Sequence, residues 1–160
     1  MHLPTPLLTL LLPLTTAHFL LNYPPARGFN EDLLVQYPCG GQNTPSSNRT
    51  AWPNTGAPIQ LEMHHTSARV QVLIAYGNNP TGADFQTVLM PTFQETGPLN
   101  FCMGDVVVPN SNLTRAGMNA TIMVATNGDP NGGLYNVSLS RPPPPFKPTP
   151  LSIDRKSPND

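Results

Sequence analysis

Three observations predict an all-β fold, an antiparallel β-sandwich. Charged residues make up only 11% of the 160-residue chain, too few to supply the solvated faces of a helical bundle. Proline and glycine are abundant, at 21 and 12 residues, and punctuate the chain between short apolar segments. Within the clearest of those segments, apolar and polar side chains alternate with a period near two, as in a strand with one buried face.

Taken in order, the segments begin with His18-Phe-Leu-Leu-Asn-Tyr, an apolar stretch stopped by Pro24 and Pro25. Residues 24–58 carry Gly28, Pro38, Gly40, Gly41, Pro45, Pro53, Gly56 and Pro58, which predicts a long structured loop with few ladder hydrogen bonds. Strands are expected at Ile59–His65 and Ala68–Tyr76; in the second, Val70, Val72 and Ile74 alternate with Arg69, Gln71 and Leu73. Gly77-Asn78-Asn79-Pro80 is a turn signal, and further strands are expected at Phe85–Leu89, Leu99–Met103, Asp105–Val108 and Thr121–Ala125. A turn rich in Asn, Gly and Asp follows Thr126, and Leu134-Tyr135 opens a last apolar stretch.

The ends of the chain differ in character from this middle. Residues 1–17 hold an apolar run from Leu7 to Leu14 followed by Thr15, Thr16 and Ala17, which reads as a secretory signal peptide too short to span a bilayer. Residues 18–139 form the expected domain, and residues 140–160, opening on Arg141 and four prolines, are expected to be a disordered tail. Sequons at Asn48, Asn112 and Asn119 fit export and glycosylation. No second hydrophobic segment supplies a transmembrane helix or a glycolipid-anchor signal. With Lys and Arg totalling 8 and a net charge of −1, the sequence has no basic cluster for nucleic acid. Cys39 and Cys102 are compatible with one disulfide in an oxidising compartment.

Histidine placement carries the chemistry. Cleavage after Ala17 would leave His18 with a free α-amino group and an imidazole on one residue, so the amine and Nδ1 could chelate one metal ion. An α-amino group titrates near pH 7.7–8.0, so a metal can displace its proton at neutral pH. A second imidazole opposite the amine would complete three nitrogens in a T, the tetragonal preference of Cu(II). Copper also heads the divalent affinity order for nitrogen ligands. His64 and His65 are adjacent, and alternation along a strand lets only one of them join such a site. We assign the role to His65, near the expected strand end, although it shares its face with Ile59, Leu61 and Met63. An ordinary polar pair at a strand end is the plainer reading of His-His taken alone.

Other constellations are weaker. The carboxylates are scattered, no Gly-x-Ser-x-Gly elbow is present, and the irregular spacing of Met63, Met90, Met103, Met118 and Met123 favours core filling over a thioether copper site.

Several motifs, taken in order, resemble the fungal LPMO-like copper-binding proteins, which include a copper acquisition factor. They are His18-Phe-Leu-Leu-Asn-Tyr-Pro after a signal, Gly28-Phe29, Pro38-Cys39-Gly40-Gly41, the strand into His65, Phe101-Cys102 and Gly133-Leu134-Tyr135. The resemblance covers residues 18–135. It implies an immunoglobulin-like β-sandwich similar to lytic polysaccharide monooxygenases, with a copper-binding histidine brace at His18 and His65. It further implies copper handling rather than oxidative polysaccharide cleavage, and commonly a glycolipid anchor. The sequence departs from the family after Tyr135. There the resemblance leads one to expect a nearby Cys, a further strand and often an Asp close to copper, whereas this chain continues Asn136-Val137-Ser138-Leu139-Ser140. An aberrant or truncated C-terminus, an incomplete last strand and an unpaired sheet edge are therefore expected. Asp32 is the one carboxylate nominated as a third ligand.

Three functions follow as expectations. The first is a secreted or cell-surface copper protein, not an enzyme, serving copper acquisition or homeostasis and handing metal to a copper transporter or residing in the fungal cell wall. The second is a copper-dependent polysaccharide monooxygenase; Trp52, the sole Trp, gives little of the exposed aromatic surface that chemistry wants. The third is a metal-free cell-wall glycoprotein.

Overall fold

A computed structural model describes residues 18–53, 55–97, 99–109, 117–127 and 132–141; the expected signal peptide, the sequon at Asn112 and nearly all the tail lie outside them. Among the described residues, eight strands form two sheets. In chain order they are β1 (Phe19–Tyr23), β2 (Thr50–Ala51), β3 (Ala57–Met63), β4 (Ser67–Tyr76), β5 (Thr87–Thr96), β6 (Leu99–Val106), β7 (Ala120–Asn127) and β8 (Gly133–Arg141). One sheet has the order β1-β3-β6 and the other β2-β8-β7-β4-β5. Every pairing is antiparallel except that of the short β2 with the end of β8, where Thr50 faces Ser140.

Alternation decides which side chains enter the sandwich. Phe19 and Leu21 of β1, Ile59, Leu61 and Met63 of β3, and Met103 and Val106 of β6 meet Val70, Val72 and Ile74 of β4 and Ile122 and Val124 of β7 in one core. Each fully buried aliphatic side chain contributes about 1.5–3 kcal/mol relative to exposure. Trp52 joins this core and donates its indole N–H to the Val106 carbonyl at 3.3 Å. Met63, Met103 and Met123 are buried, the core role expected for methionine.

A second, smaller cluster gathers Cys39, Ala75, Phe85, Met123 and Val137. Ala75 and Met123 alternate with core residues Ile74 and Ile122, so this cluster covers the outer face of the five-stranded sheet. The loop after β1 lies over that face. Gly40 explains why the loop can approach so closely: its φ is +57°, and a Cβ there would sit 2.1 Å from the Tyr135 carbonyl oxygen.

Several expectations are corrected. The expected strands Leu99–Met103 and Asp105–Val108 are one continuous strand, β6, and the expected Phe85–Leu89 is a strand that starts at Thr87 and continues to Thr96. Pro91 masked it. β5 is the sheet edge, and the register slips between Met90 and Phe93, so proline sits at a bulge where a missing N–H costs no ladder bond. The last strand, β8, runs to Arg141, two residues past the expected domain end, and pairs β7 from Gly133 through Ser140. No disulfide joins the cysteines; both are free. Cys39 is buried on the outer face of one sheet, while Cys102 is exposed on β6 of the other, its neighbour Met103 pointing into the core. The core between the sheets separates the two thiols.

Candidate metal centre

The β1–β3 ladder sets this site. Phe19 pairs with Met63, so the next position outward sets His18 opposite His64, whose backbone N–H donates to the His18 carbonyl at 3.1 Å. The two imidazoles stack, with ring centres 4.1 Å apart and planes 23° from parallel. Phe29 lies against the same His18 ring at 6.2 Å.

A carboxylate reaches the site from the loop after β1. Residues Glu31–Leu33 make one 3-10 turn, capped by Asn30, whose side-chain oxygen accepts from the Asp32 N–H at 3.1 Å. This turn brings Glu31 Oε1 to 3.0 Å from His18 Nδ1, an ion-pair distance, although no well-directed hydrogen bond reaches that nitrogen. The carboxylate beside His18 is therefore Glu31 and not the nominated Asp32. Sequence reasoning missed it because one residue decides which side of a tight turn a carboxylate leaves. The cap at Asn30, preceding Glu-Asp, was the available signal.

The two neighbouring histidines have different surroundings. His64 is exposed and its Nε2 lies 3.1 Å from Glu62 Oε1. His65, in the bend between β3 and β4, is half-buried, and its Nε2 is buried with no hydrogen-bond partner. Across from it stands Glu95 of β5, 3% exposed, with Oε2 also lacking a partner. Burial pushes the Glu95 carboxyl above its ordinary pKa, and the charge of His65 pulls in the opposite direction. Thus the structure lays the His64 ring, not that of His65, against His18, and leaves His65 with a free nitrogen beside a buried carboxylate.

The donor set can be tested for fit to copper on these atoms. Among the described residues, no group of three or more His, Cys, Asp or Glu side chains is placed to hold a metal ion. A brace does not need three side chains, since its third nitrogen is a terminal amine. Of the two imidazole nitrogens it would use, His65 Nε2 is buried without a hydrogen-bond partner, whereas His18 Nδ1 faces the Glu31 carboxylate at 3.0 Å. A buried polar nitrogen is rarely left without a partner, and His65 Nε2 is such a nitrogen. Imidazole nitrogens suit copper, so the donor chemistry of these two side chains fits the ion.

Residues 16–139 match the family model described as copper acquisition factor BIM1-like. An uncharacterised protein of Aspergillus fumigatus is 45% identical over 128 residues, covering 77% of this chain and 52% of that protein. The copper acquisition factor BIM1 of Cryptococcus neoformans var. neoformans is 33% identical over 131 residues, covering 76% of this chain and 58% of its own length. A lytic polysaccharide monooxygenase-like protein of Neurospora crassa, ham-7, is 31% identical over 153 residues, covering 82% and 66%. The chain thus spans about half the length of the first of these relatives. With most of its length matched, this chain belongs to the BIM1-like copper acquisition factor family.

Proposed function

We propose that the protein, secreted and cleaved after Ala17, binds copper through a histidine brace made of the His18 amine, His18 Nδ1 and His65 Nε2. The observation that carries this reading is His65 Nε2, buried without a hydrogen-bond partner. His65 suits the second position better than His64, whose ring stacks on that of His18. Three nitrogens of this kind favour Cu(II) in tetragonal geometry. The biological role is copper acquisition or homeostasis at the fungal cell surface, with a copper transporter or the wall as recipient, and without oxidative cleavage of polysaccharide. Burial of Trp52 removes the chain's largest aromatic from the surface, while Phe29 beside His18 and Tyr37 stay exposed.

A Cu(II) titration with electron paramagnetic resonance on protein beginning at His18 tests this. One tight equivalent with a tetragonal nitrogen signature is expected. The signature is lost in His18→Ala, in His65→Ala and in protein carrying an extra N-terminal Ala, and it is retained in His64→Ala. Folded protein that binds no copper would overturn the reading. Loss in His64→Ala with retention in His65→Ala would move the second ligand to His64.

A further inference from the structure

A cavity outside the metal centre gathers positive charge that no carboxylate among the described residues pairs with. It measures about 280 Å³ and is lined by Arg27, Ser46, Asn48, Arg49, Thr50 and Leu139, among others. Arg27 donates to the Gln42 carbonyl at 3.0 Å and to Thr121 Oγ1 at 3.2 Å, while its Nε is buried with no partner. Arg49 donates to the Ala120 carbonyl at 3.3 Å and lies 3.5 Å from Asn78 Oδ1. Arg141, at the end of β8, donates to Asn119 Oδ1 at 3.0 Å. All of these acceptors are neutral. Among the described residues, none of the three guanidinium groups forms an ion pair with a carboxylate.

This arrangement is costly without a counter-charge. Burial, then the charges of Arg141 and Arg27, pull Arg49 below its ordinary pKa, yet a guanidinium stays protonated at neutral pH. Like charges held together in a partly desolvated cavity repel, and an anion placed between them relieves that repulsion. The guanidinium fork matches the oxygens of phosphate and sulfate, and such charge-assisted bonds are about twice as strong as neutral ones. Hydroxyls complete the set. Ser46 Oγ accepts from the Asn48 backbone N–H at 3.1 Å, which leaves its own proton free to donate. The volume accommodates an oxyanion with several waters, each occupying about 30 Å³.

We infer that Arg27 and Arg49 form a binding site for a tetrahedral oxyanion, phosphate or sulfate, with Ser46 and Thr50 as further donors and Arg141 adding long-range attraction. The site does not depend on the copper reading, since it shares no residue with it. Two sources of this group are chemically alike: the free ion and a phosphomonoester on a sugar.

The test is calorimetric titration of the secreted chain with inorganic phosphate, then with glucose 6-phosphate, sodium chloride holding ionic strength constant. Saturable one-to-one binding of inorganic phosphate is expected, weakened at least about tenfold in Arg49→Gln. Arg49→Lys keeps the charge and loses the fork, and it is expected to bind between the two. Tighter binding of the sugar phosphate would assign the site to esters, and tighter binding of the free ion would assign it to inorganic phosphate. Absence of saturable binding in the unaltered protein overturns the inference. So does unchanged binding in an Arg49→Gln protein that melts cooperatively. Should that variant not fold, unchanged affinity in Arg49→Lys overturns it equally.

Discussion

Cys39 and Cys102 carry the same chemistry into opposite environments. Cys39 is 3% exposed, and burial pushes its thiol above the ordinary pKa, with Arg27 pulling weakly the other way. Cys102 is exposed on β6. The thiolate is the reactive form, so a raised pKa and burial both slow attack. One thiol per chain is expected to react with Ellman's reagent within minutes at pH 8, and the second only after denaturation. Two fast thiols in folded protein would contradict the placement of Cys39. The histidines show how far a residue-level reading could go. His18 was legible because a signal peptide would leave it as a terminus. Choosing between His64 and His65 was harder, because both lie past the end of β3 at Met63, where strand alternation no longer governs direction. Glu31 and Glu95 were illegible, since each reaches its histidine through a loop or a partner strand that no local pattern reveals.

At the scale of elements, the strands written in regular alternation were read correctly and the irregular one was not. β4 buries Val70, Val72 and Ile74 as its period predicts, whereas the polar and proline-bearing β5 owes its existence to pairing with β4. The turn leading into β5 makes a further testable point. Thr81 donates its backbone N–H and its hydroxyl to Asp84 Oδ2 at 2.7 and 2.8 Å, and these bonds hold the Asp84 carboxyl below its ordinary pKa. A depressed carboxylate pKa adds stability above the unfolded value, and that stability fades as pH falls through the folded one. Asp84→Ala is therefore expected to lower the melting temperature at pH 7. The gap to the unaltered protein should shrink as the pH drops below the ordinary carboxylate range. A gap independent of pH between 7 and 2.5 would show that the charged bonds contribute nothing.

Across the whole molecule, the loop after β1 is pinned to the outer face of the larger sheet. The Tyr135 N–H donates to the Leu34 carbonyl at 2.8 Å, and Cys39 packs in one cluster with Val137. Family resemblance leads one to expect a cysteine just after Tyr135, and Val137 occupies that neighbourhood. Val137→Cys is expected to oxidise spontaneously to a bond with Cys39. Closing a loop of about 100 residues restricts the unfolded chain by up to about 5 kcal/mol. Urea unfolding with and without reductant measures this. A variant that keeps two or more titratable thiols after air oxidation, or whose midpoint ignores reductant, would refute the proximity. The two-sheet architecture was predictable from composition and turn spacing. The missing disulfide was not, because two cysteines in a row of letters say nothing about which sides of a core they occupy.

The bulge at Pro91 has a consequence for how separate molecules behave towards one another. With a net charge of −1, copies of this chain gain little mutual electrostatic repulsion to keep them apart. The larger sheet ends on one side in a two-residue strand and on the other in β5, whose proline deletes a donor and whose bulge breaks the straight run of carbonyls. A neighbouring strand arriving at either margin therefore finds no continuous template to zip onto. On the larger sheet, protection against edge-to-edge pairing comes from backbone shape rather than from surface charge.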